Sequence, residues 1–163
     1  MSVSADEVTT SLVVNGVPIA RTAGAHLSLL RWLRDVANIT DPKYGCGEGV
    51  CGSCTVRVDG VPVSSCLVLA AQVDGSDIET ASGLAGSDGS PSSLQQAFHE
   101  HHAAQCGFCT PGMLVAAAAM LDDADGNALS RAEIRDGLHG NLCRCTGYGP
   151  IVDAVQAAQE SSS

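Results

Sequence analysis

GCGEGVCGSC, residues 45–54, sets Cys46, Cys51 and Cys54 at C-x4-C-x2-C among four glycines, Gly45, Gly47, Gly49 and Gly52. Glycine lets a backbone wrap closely and aim its N–H groups inward with no Cβ in the way, so the loop is suited to hold a small anionic centre on its thiolates. The segment after the loop brings a fourth thiol to the same place. Residues 54–58 and 61–65 flank Asp59-Gly60, a dipeptide that accepts the positive φ of a two-residue type I′ hairpin turn. In that register Cys54 pairs with Ser65, and Cys66 returns beside Cys54. Pro62 has no N–H to donate and puts the second strand of this hairpin at a sheet edge.

With Cys66 twelve residues beyond Cys54, the four cysteines have the spacing of a plant-type [2Fe-2S] ferredoxin. Two alternatives stand beside it. Zinc would take four thiolates but is usually built from two matched CxxC-like knuckles, and disulfides belong to oxidising compartments. Upstream, residues 10–14 and 17–21 flank Asn15-Gly16 and form another hairpin. Residues 28–36 carry Leu29, Leu30, Trp32, Leu33 and Val36 at helical spacing, with Arg31, Arg34 and Asp35 facing outward. Residues 77–80 add a further strand. Hairpins packed on one helix make an α+β, β-grasp-like domain over residues 1–82.

The second group of cysteines is Cys106, Cys109, Cys143 and Cys145, separated from the first by ASGLAGSDGSPSS (residues 81–93), a Gly/Ser-rich stretch that reads as a linker. Residues 83–163 read as an all-α, four-helix bundle domain. A first helix covers residues 92–102, and a second opens on Thr110 as N-cap with Pro111 at the first helical position and runs to about Leu121. Ser130 and Glu133 form a capping box that starts a third. Gly149-Pro150 opens a fourth, to about Gln159, before a serine tail expected to be disordered. In an up-and-down bundle the loop holding Cys106 and Cys109 and the loop holding Cys143 and Cys145 lie at the same end, so the two pairs can share a second centre. The positive end of the helix dipole after Cys109 favours an anionic cluster there. Taken out of context, a CxxC and a CxC would also hold zinc.

Of the 163 residues, 45% are hydrophobic and 16% charged, enough apolar content for a core and too little charge for a disordered chain. A formal charge of -10 has the wrong sign for tracking phosphate backbones, so nucleic acid is excluded as a partner. The longest apolar run, residues 113–121, is about half of the ~20 residues needed to span a bilayer. The start shows no secretory or twin-arginine signal, and the expected location is a reducing cytoplasm, where cysteines serve as metal ligands or redox groups.

Three segments, GCGEGVCGSCTV, QCGFCTPGM (105–113) and GNLCRCTGY (140–148), in this order and at these separations, resemble the small iron-sulfur subunit of the xanthine oxidase family of molybdenum hydroxylases. The resemblance runs from the first hairpin to the last helix, and all eight cysteine positions are filled. It implies two [2Fe-2S] clusters: Cys106, Cys109, Cys143 and Cys145 hold the one nearer molybdenum, and Cys46, Cys51, Cys54 and Cys66 the one nearer a flavin. It also implies that Gln105 and the Cys145 sulfur contact the pterin of the molybdenum cofactor; read without the family, Gln105 is a polar loop residue bonding backbone. Electrons would pass from the molybdenum-pterin centre through both clusters to FAD.

Nothing in the chain could hydroxylate a substrate, so no catalytic residue is assigned, and there is no room for a molybdopterin or flavin domain. A large molybdenum-cofactor subunit and a medium FAD subunit are implied as partners, in a heterotrimer or a dimer of heterotrimers. A free-standing two-cluster ferredoxin and a zinc-stabilised binding module are the competing functions. His99, His101 and His102 are expected in solvent, and His26 and His139 are expected to be structural. Glu48 could tune a cluster by its charge or stay solvated. Arg144, between two thiolates, could offset cluster charge, bind a partner or bind a cofactor phosphate. Lys43 and Tyr44 lead into the first loop and could face a partner.

Overall fold

Two hairpins and one short strand build a five-stranded sheet in the order β2-β1-β5-β3-β4 in the computed structural model, which describes residues 6–161. β1 (Glu7–Val14) and β2 (Val17–Gly24) pair antiparallel as far as Val14 and Val17. Asn15 and Gly16 turn between them at φ 51° and 77°, the positive values that the Asn-Gly dipeptide accepts. β3 (Thr55–Val58) and β4 (Val61–Ser64) repeat the arrangement around Asp59 and Gly60. β5 (Asp77–Glu79) lies between the hairpins, parallel to β1 and antiparallel to β3, so the sheet is mixed. β4, with Pro62, is an edge strand as expected.

One face of the sheet is closed by α1 (Leu29–Arg31), capped by the Ser28 hydroxyl, which accepts from the Arg31 amide. The expected regular helix is not continued. From Trp32 to Val36 the turn widens to a π-helical one, with the Ala37 amide donating to the Trp32 carbonyl. Leu29, Leu30, Trp32 and Leu33 are all buried there, four large side chains in five positions, more than the stripe of a short α-helix buries. Leu29, Trp32 and Leu33 pack with Leu12, Val14, Val56 and Ile78 of the strands into one core.

The other half contains α2 (Ser93–Glu100), α3 (Thr110–Asp123), α4 (Arg131–Gly137) and α5 (Gly149–Ser161). α2 packs on α5, and α4 on both α3 and α5, around Phe98, Met113, Val115, Ile134, Leu138, Ile151, Val152 and Val155. Two capping boxes begin α2 and α4 as read from the sequence, Ser92 with Gln95 and Ser130 with Glu133. The cap assigned to Thr110 is corrected. The backbone is already helical at Cys109, whose carbonyl accepts from Met113, so Cys109 is the N-cap and Thr110 the first helical residue. At that position the Thr110 hydroxyl has no first-turn amide to accept from, and it is buried without a partner.

α3 is apolar nearly all round, and the fold explains why. It is packed against helices on one side and against β3 and β4 on the other. The stretch read as a linker is ordered: residues 81–84 form a 3-10 turn with Ala81 in the helical core, and Gly86 and Ser90 close a tight turn. The Ser82 amide donates to Asp41, and Gln95 donates to the Ala81 carbonyl, which ties the segment to both halves. α5 runs two residues further than expected, to Ser161; the last two serines of the tail lie outside the described residues.

Candidate functional site

All eight cysteines are free thiols, and within each quartet their contacts run in pairs. In the first loop the amides of Glu48 and Cys51 donate to the Cys46 sulfur at 3.3 and 3.5 Å. These donors hold the Cys46 thiol down to about 6, because N–H groups aimed at sulfur favour the thiolate. Gly47, Gly49 and Gly52 all have positive φ here, and a Cβ on Gly45 would lie 2.8 Å from the Cys51 sulfur. Cys54 comes back against Cys66 by the expected route. Thr55 pairs with Ser64, and the Ser65 hydroxyl donates to the Cys54 carbonyl at 2.6 Å. Burial, with Cys66 beside it, pushes the Cys54 thiol up to about 11.

In the second quartet the Cys145 and Cys106 sulfurs lie 3.6 Å apart and are exposed, while Cys109 lies against Cys143 further in. The two loops therefore do meet. The Phe108 amide lowers the Cys106 thiol, whereas its neighbour Cys106 raises Cys145. Burial first, and then Cys143, pushes Cys109 up to about 12. Burial acts to raise Cys143, but the Thr146 hydroxyl and amide, the Cys145 amide and Cys109 together outweigh it and the net shift is downward.

The quartets are joined across the seam between the halves. The Leu142 amide donates to the Cys51 carbonyl at 2.9 Å, and the buried Asn141 side chain donates to the Gly52 carbonyl at 2.9 Å and reaches the Thr55 hydroxyl at 3.2 Å. A Cβ on Gly112 would lie 2.1 Å from the Gly52 oxygen, and one on Gly52 would lie 2.3 Å from the Gly140 oxygen. Side-chain-free backbones allow this approach. Below it, Arg57 of β3 forms ion pairs with Glu79 at 2.9 Å and with Asp122 of α3 at 2.7 Å.

Among the described residues no three His, Cys, Asp or Glu side chains are grouped to hold a single metal ion. A [2Fe-2S] core needs a different arrangement, two thiolates on each of two irons. The pairs 46/51 and 54/66, and 106/145 and 109/143, have that form. The fit extends to the surroundings: amides already point at sulfur, Gly45 stands where a Cβ would crowd the Cys51 sulfur, and the buried Thr110 hydroxyl next to Cys109 is a donor with no protein partner. Thiols held protonated by burial are also those that a metal deprotonates.

Gln105 is exposed beside the outer pair, and Arg144 is exposed between Cys143 and Cys145. Glu48 acts here through its amide. Tyr44 is exposed with the Arg31 guanidinium over its ring at 5.7 Å, and Lys43 donates to the Thr40 carbonyl. His99, His101 and His102 are in solvent as expected. His26 and His139 are exposed too. Asn141, Leu142, Thr146 and Tyr148 carry no signal of their own in the sequence, although all four fall inside GNLCRCTGY; it is their partners, tens of residues away or set by a left-handed turn, that the motif does not show.

A mixed sheet carrying one thiol quartet and a helical half carrying another define a two-centre iron-sulfur protein. Family models agree half by half: a 2Fe-2S iron-sulfur cluster binding domain matches residues 10–86, and a [2Fe-2S] binding domain matches residues 80–156. The chain is 46% identical to the caffeine dehydrogenase subunit gamma of a Pseudomonas species, over 93% of this chain and 91% of that one. To the xanthine dehydrogenase iron-sulfur-binding subunit of Escherichia coli it is 45% identical, over 92% and 93%. Among solved structures, quinoline 2-oxidoreductase from Pseudomonas putida superposes with a TM-score of 0.90 at 44% identity, over 97% of both chains. The chain belongs to the small iron-sulfur subunits of the xanthine oxidase family of molybdenum hydroxylases. It is thus an electron-transfer subunit of an oxidoreductase, with two [2Fe-2S] clusters of its own and with the molybdenum-pterin cofactor and FAD on partner subunits.

Proposed function

We propose that Cys46, Cys51, Cys54 and Cys66 hold the cluster nearer the FAD subunit and that Cys106, Cys109, Cys143 and Cys145 hold the one nearer the molybdenum-pterin subunit. Bound there, each core supplies one-electron transfer. The observation that carries this reading is the 2.9 Å hydrogen bond from the Leu142 amide to the Cys51 carbonyl, which links a residue of the first quartet to the neighbour of Cys143 in the second. The exposed Cys106 and Cys145 pair, with exposed Gln105 beside it, is presented outward and supports a pterin contact by Gln105 and the Cys145 sulfur. Cys54 and Cys109 are withdrawn from solvent.

The same reading takes residues 1–82 as a ferredoxin-like β-grasp domain and residues 83–163 as a four-helix bundle domain. It places the assembly in the cytoplasm as a heterotrimer, or a dimer of heterotrimers, of small, medium and large chains. Relatives named for caffeine and for xanthine match this chain equally well, at 46% and 45% identity, which supports a reading in which the large subunit chooses the substrate. Purification of the complex tests the assignment. About four irons and four labile sulfides per small subunit, with molybdenum and FAD on co-purifying chains, are expected. Stoichiometric zinc without sulfide would overturn the cluster assignment, and a lone two-cluster chain would overturn the complex.

A further inference from the structure

The loop that ends the second quartet is organised by two hydroxyl side chains that the electron-transfer role leaves unassigned. The Thr146 oxygen lies 3.2 Å from the Cys143 sulfur and 3.2 Å from the Tyr148 amide. The amide can only donate, so Thr146 accepts there. An iron-bound thiolate has no proton, so the Thr146 O–H must donate to the Cys143 sulfur. The direction of the chain is thereby set, from Tyr148 N–H to Thr146 to Cys143.

Tyr148 holds the geometry from its other end. Its hydroxyl accepts from the Cys143 amide at 3.1 Å and donates to the Asn141 carbonyl at 2.8 Å, and its backbone is left-handed, at φ 68°. Thr146 and Tyr148 are both half-buried, which limits competition from water. In the first quartet the donors to the Cys46 sulfur are amides, those of Glu48 and Cys51 foremost, and the Ser65 hydroxyl near Cys54 is committed to the Cys54 carbonyl at 2.6 Å while also acting to lower that thiol.

We propose that Thr146 is a positioning and tuning residue whose hydroxyl raises the reduction potential of the second cluster. The inference rests on Cys143 being a ligand of that cluster. Reduction adds negative charge to the core and its thiolates, and a hydrogen bond to a thiolate stabilises the more negative state more strongly. Removing it makes the cluster harder to reduce. A cluster of higher potential on the molybdenum side is the better first acceptor, and its potential also sets how readily the electron moves on.

The test is an EPR-monitored redox titration of the intact complex, resolving the two clusters by their separate reduced signals. In Thr146→Val the midpoint of one cluster should move to a more negative potential while the other stays in place, and Thr146→Ser, which keeps the hydroxyl, should restore it. An unmoved midpoint, or an equal shift of both clusters, overturns the proposal. If Thr146→Val fails to load its cluster, Thr146→Ala is read in the same way, and wild-type complex in D2O supplies a measurement without a variant: an exchangeable deuteron coupled to the second cluster that Thr146→Ser retains and no hydroxyl-free variant shows. Cys143→Ser separates the two failures. If it leaves both cluster signals unchanged, the ligand assignment falls; if it alters one cluster whose midpoint Thr146→Val does not move, only the hydrogen-bond proposal falls.

Discussion

The amide of Leu142 donates to the carbonyl of Cys51 across 2.9 Å, so one hydrogen bond joins the two cysteine quartets although 91 positions separate the residues. No side chain takes part in it. What holds it in register is the neighbouring Asn141, 6% exposed, whose side-chain amide donates to Gly52 and reaches Thr55.

Asn141→Ala should therefore lower stability by about 1–2 kcal/mol, the usual worth of a buried hydrogen bond together with the space left by the side chain. Asn141→Asp should cost more, because a carboxylate would face the Gly52 carbonyl, an acceptor against an acceptor. The temperature at which the visible absorption of the clusters is lost reads both. A larger loss for alanine than for aspartate would show that shape, and not donor chemistry, matters at this position.

Two glycines at the seam separate close approach from backbone conformation. Gly112 lies in α3, where any residue has acceptable dihedrals, but its Cβ would stand 2.1 Å from the Gly52 oxygen; Gly52 has φ 65° and its Cβ would meet the Gly140 oxygen at 2.3 Å. Gly112→Ala should cost about 1–3 kcal/mol by displacing the halves. Gly52→Ala should cost roughly 1 kcal/mol more, from the left-handed conformation. Both should reduce cluster loading, measured as iron per chain. Normal loading and an unchanged melting temperature for Gly112→Ala would mean that the seam can open without consequence.

Arg57 pins the sheet to α3, yet its two partners should not count equally. Glu79 has a side chain 35% exposed and Asp122 one 71% exposed, against 10% for Arg57. Solvent screens the second pair, so Asp122→Asn should cost under about 0.5 kcal/mol, whereas Glu79→Gln should cost about 1–2 kcal/mol. Chemical denaturation of the two variants and of their double mutant measures the difference, and equal costs would place the two ion pairs in equivalent surroundings.

Much of this architecture is legible in local chemistry. Asn15-Gly16 and Asp59-Gly60 can hardly be anything but tight turns, and the second of them brings Cys66 to Cys54 without any knowledge of the rest of the chain. Ser92 with Gln95 and Ser130 with Glu133 announce helix starts for the same reason. What lay hidden was non-local. The parallel pairing of β5 with β1 depends on a crossover that no residue marks, and the π turn at Trp32 arises from packing against strands. Thr110-Pro111 read as a cap and a first position because the residues suit it; the helix begins one residue earlier because the Cys109 carbonyl is placed to accept from Met113. The cysteines were visible at once, whereas the groups that orient them, Asn141, Thr146 and Tyr148, acquire a role only when the Gly52 loop and the turn at Tyr148 lie beside them.

The capping box at the start of α4 provides the pH test. Both the hydroxyl and the amide of Ser130 donate to the Glu133 carboxylate at 2.7 Å, and the Ser130 hydroxyl accepts from the Glu133 amide. The Ser130 hydroxyl first, and its amide second, hold the Glu133 carboxyl below its ordinary 4.5. A carboxyl whose pKa is lower folded than unfolded stabilises the fold fully above 4.5, and that contribution disappears as pH falls through the folded value. Glu133→Gln keeps an oxygen acceptor and loses only the charge, which also favours the positive end of α4. The variant should melt below wild type at neutral pH, and the gap should close as the pH is taken below 4.5. Paired thermal melts of the two proteins across that range decide it. A gap that persists unchanged in acid would mean that the hydrogen-bonding shape of the side chain, and not its ionisation, supports the helix.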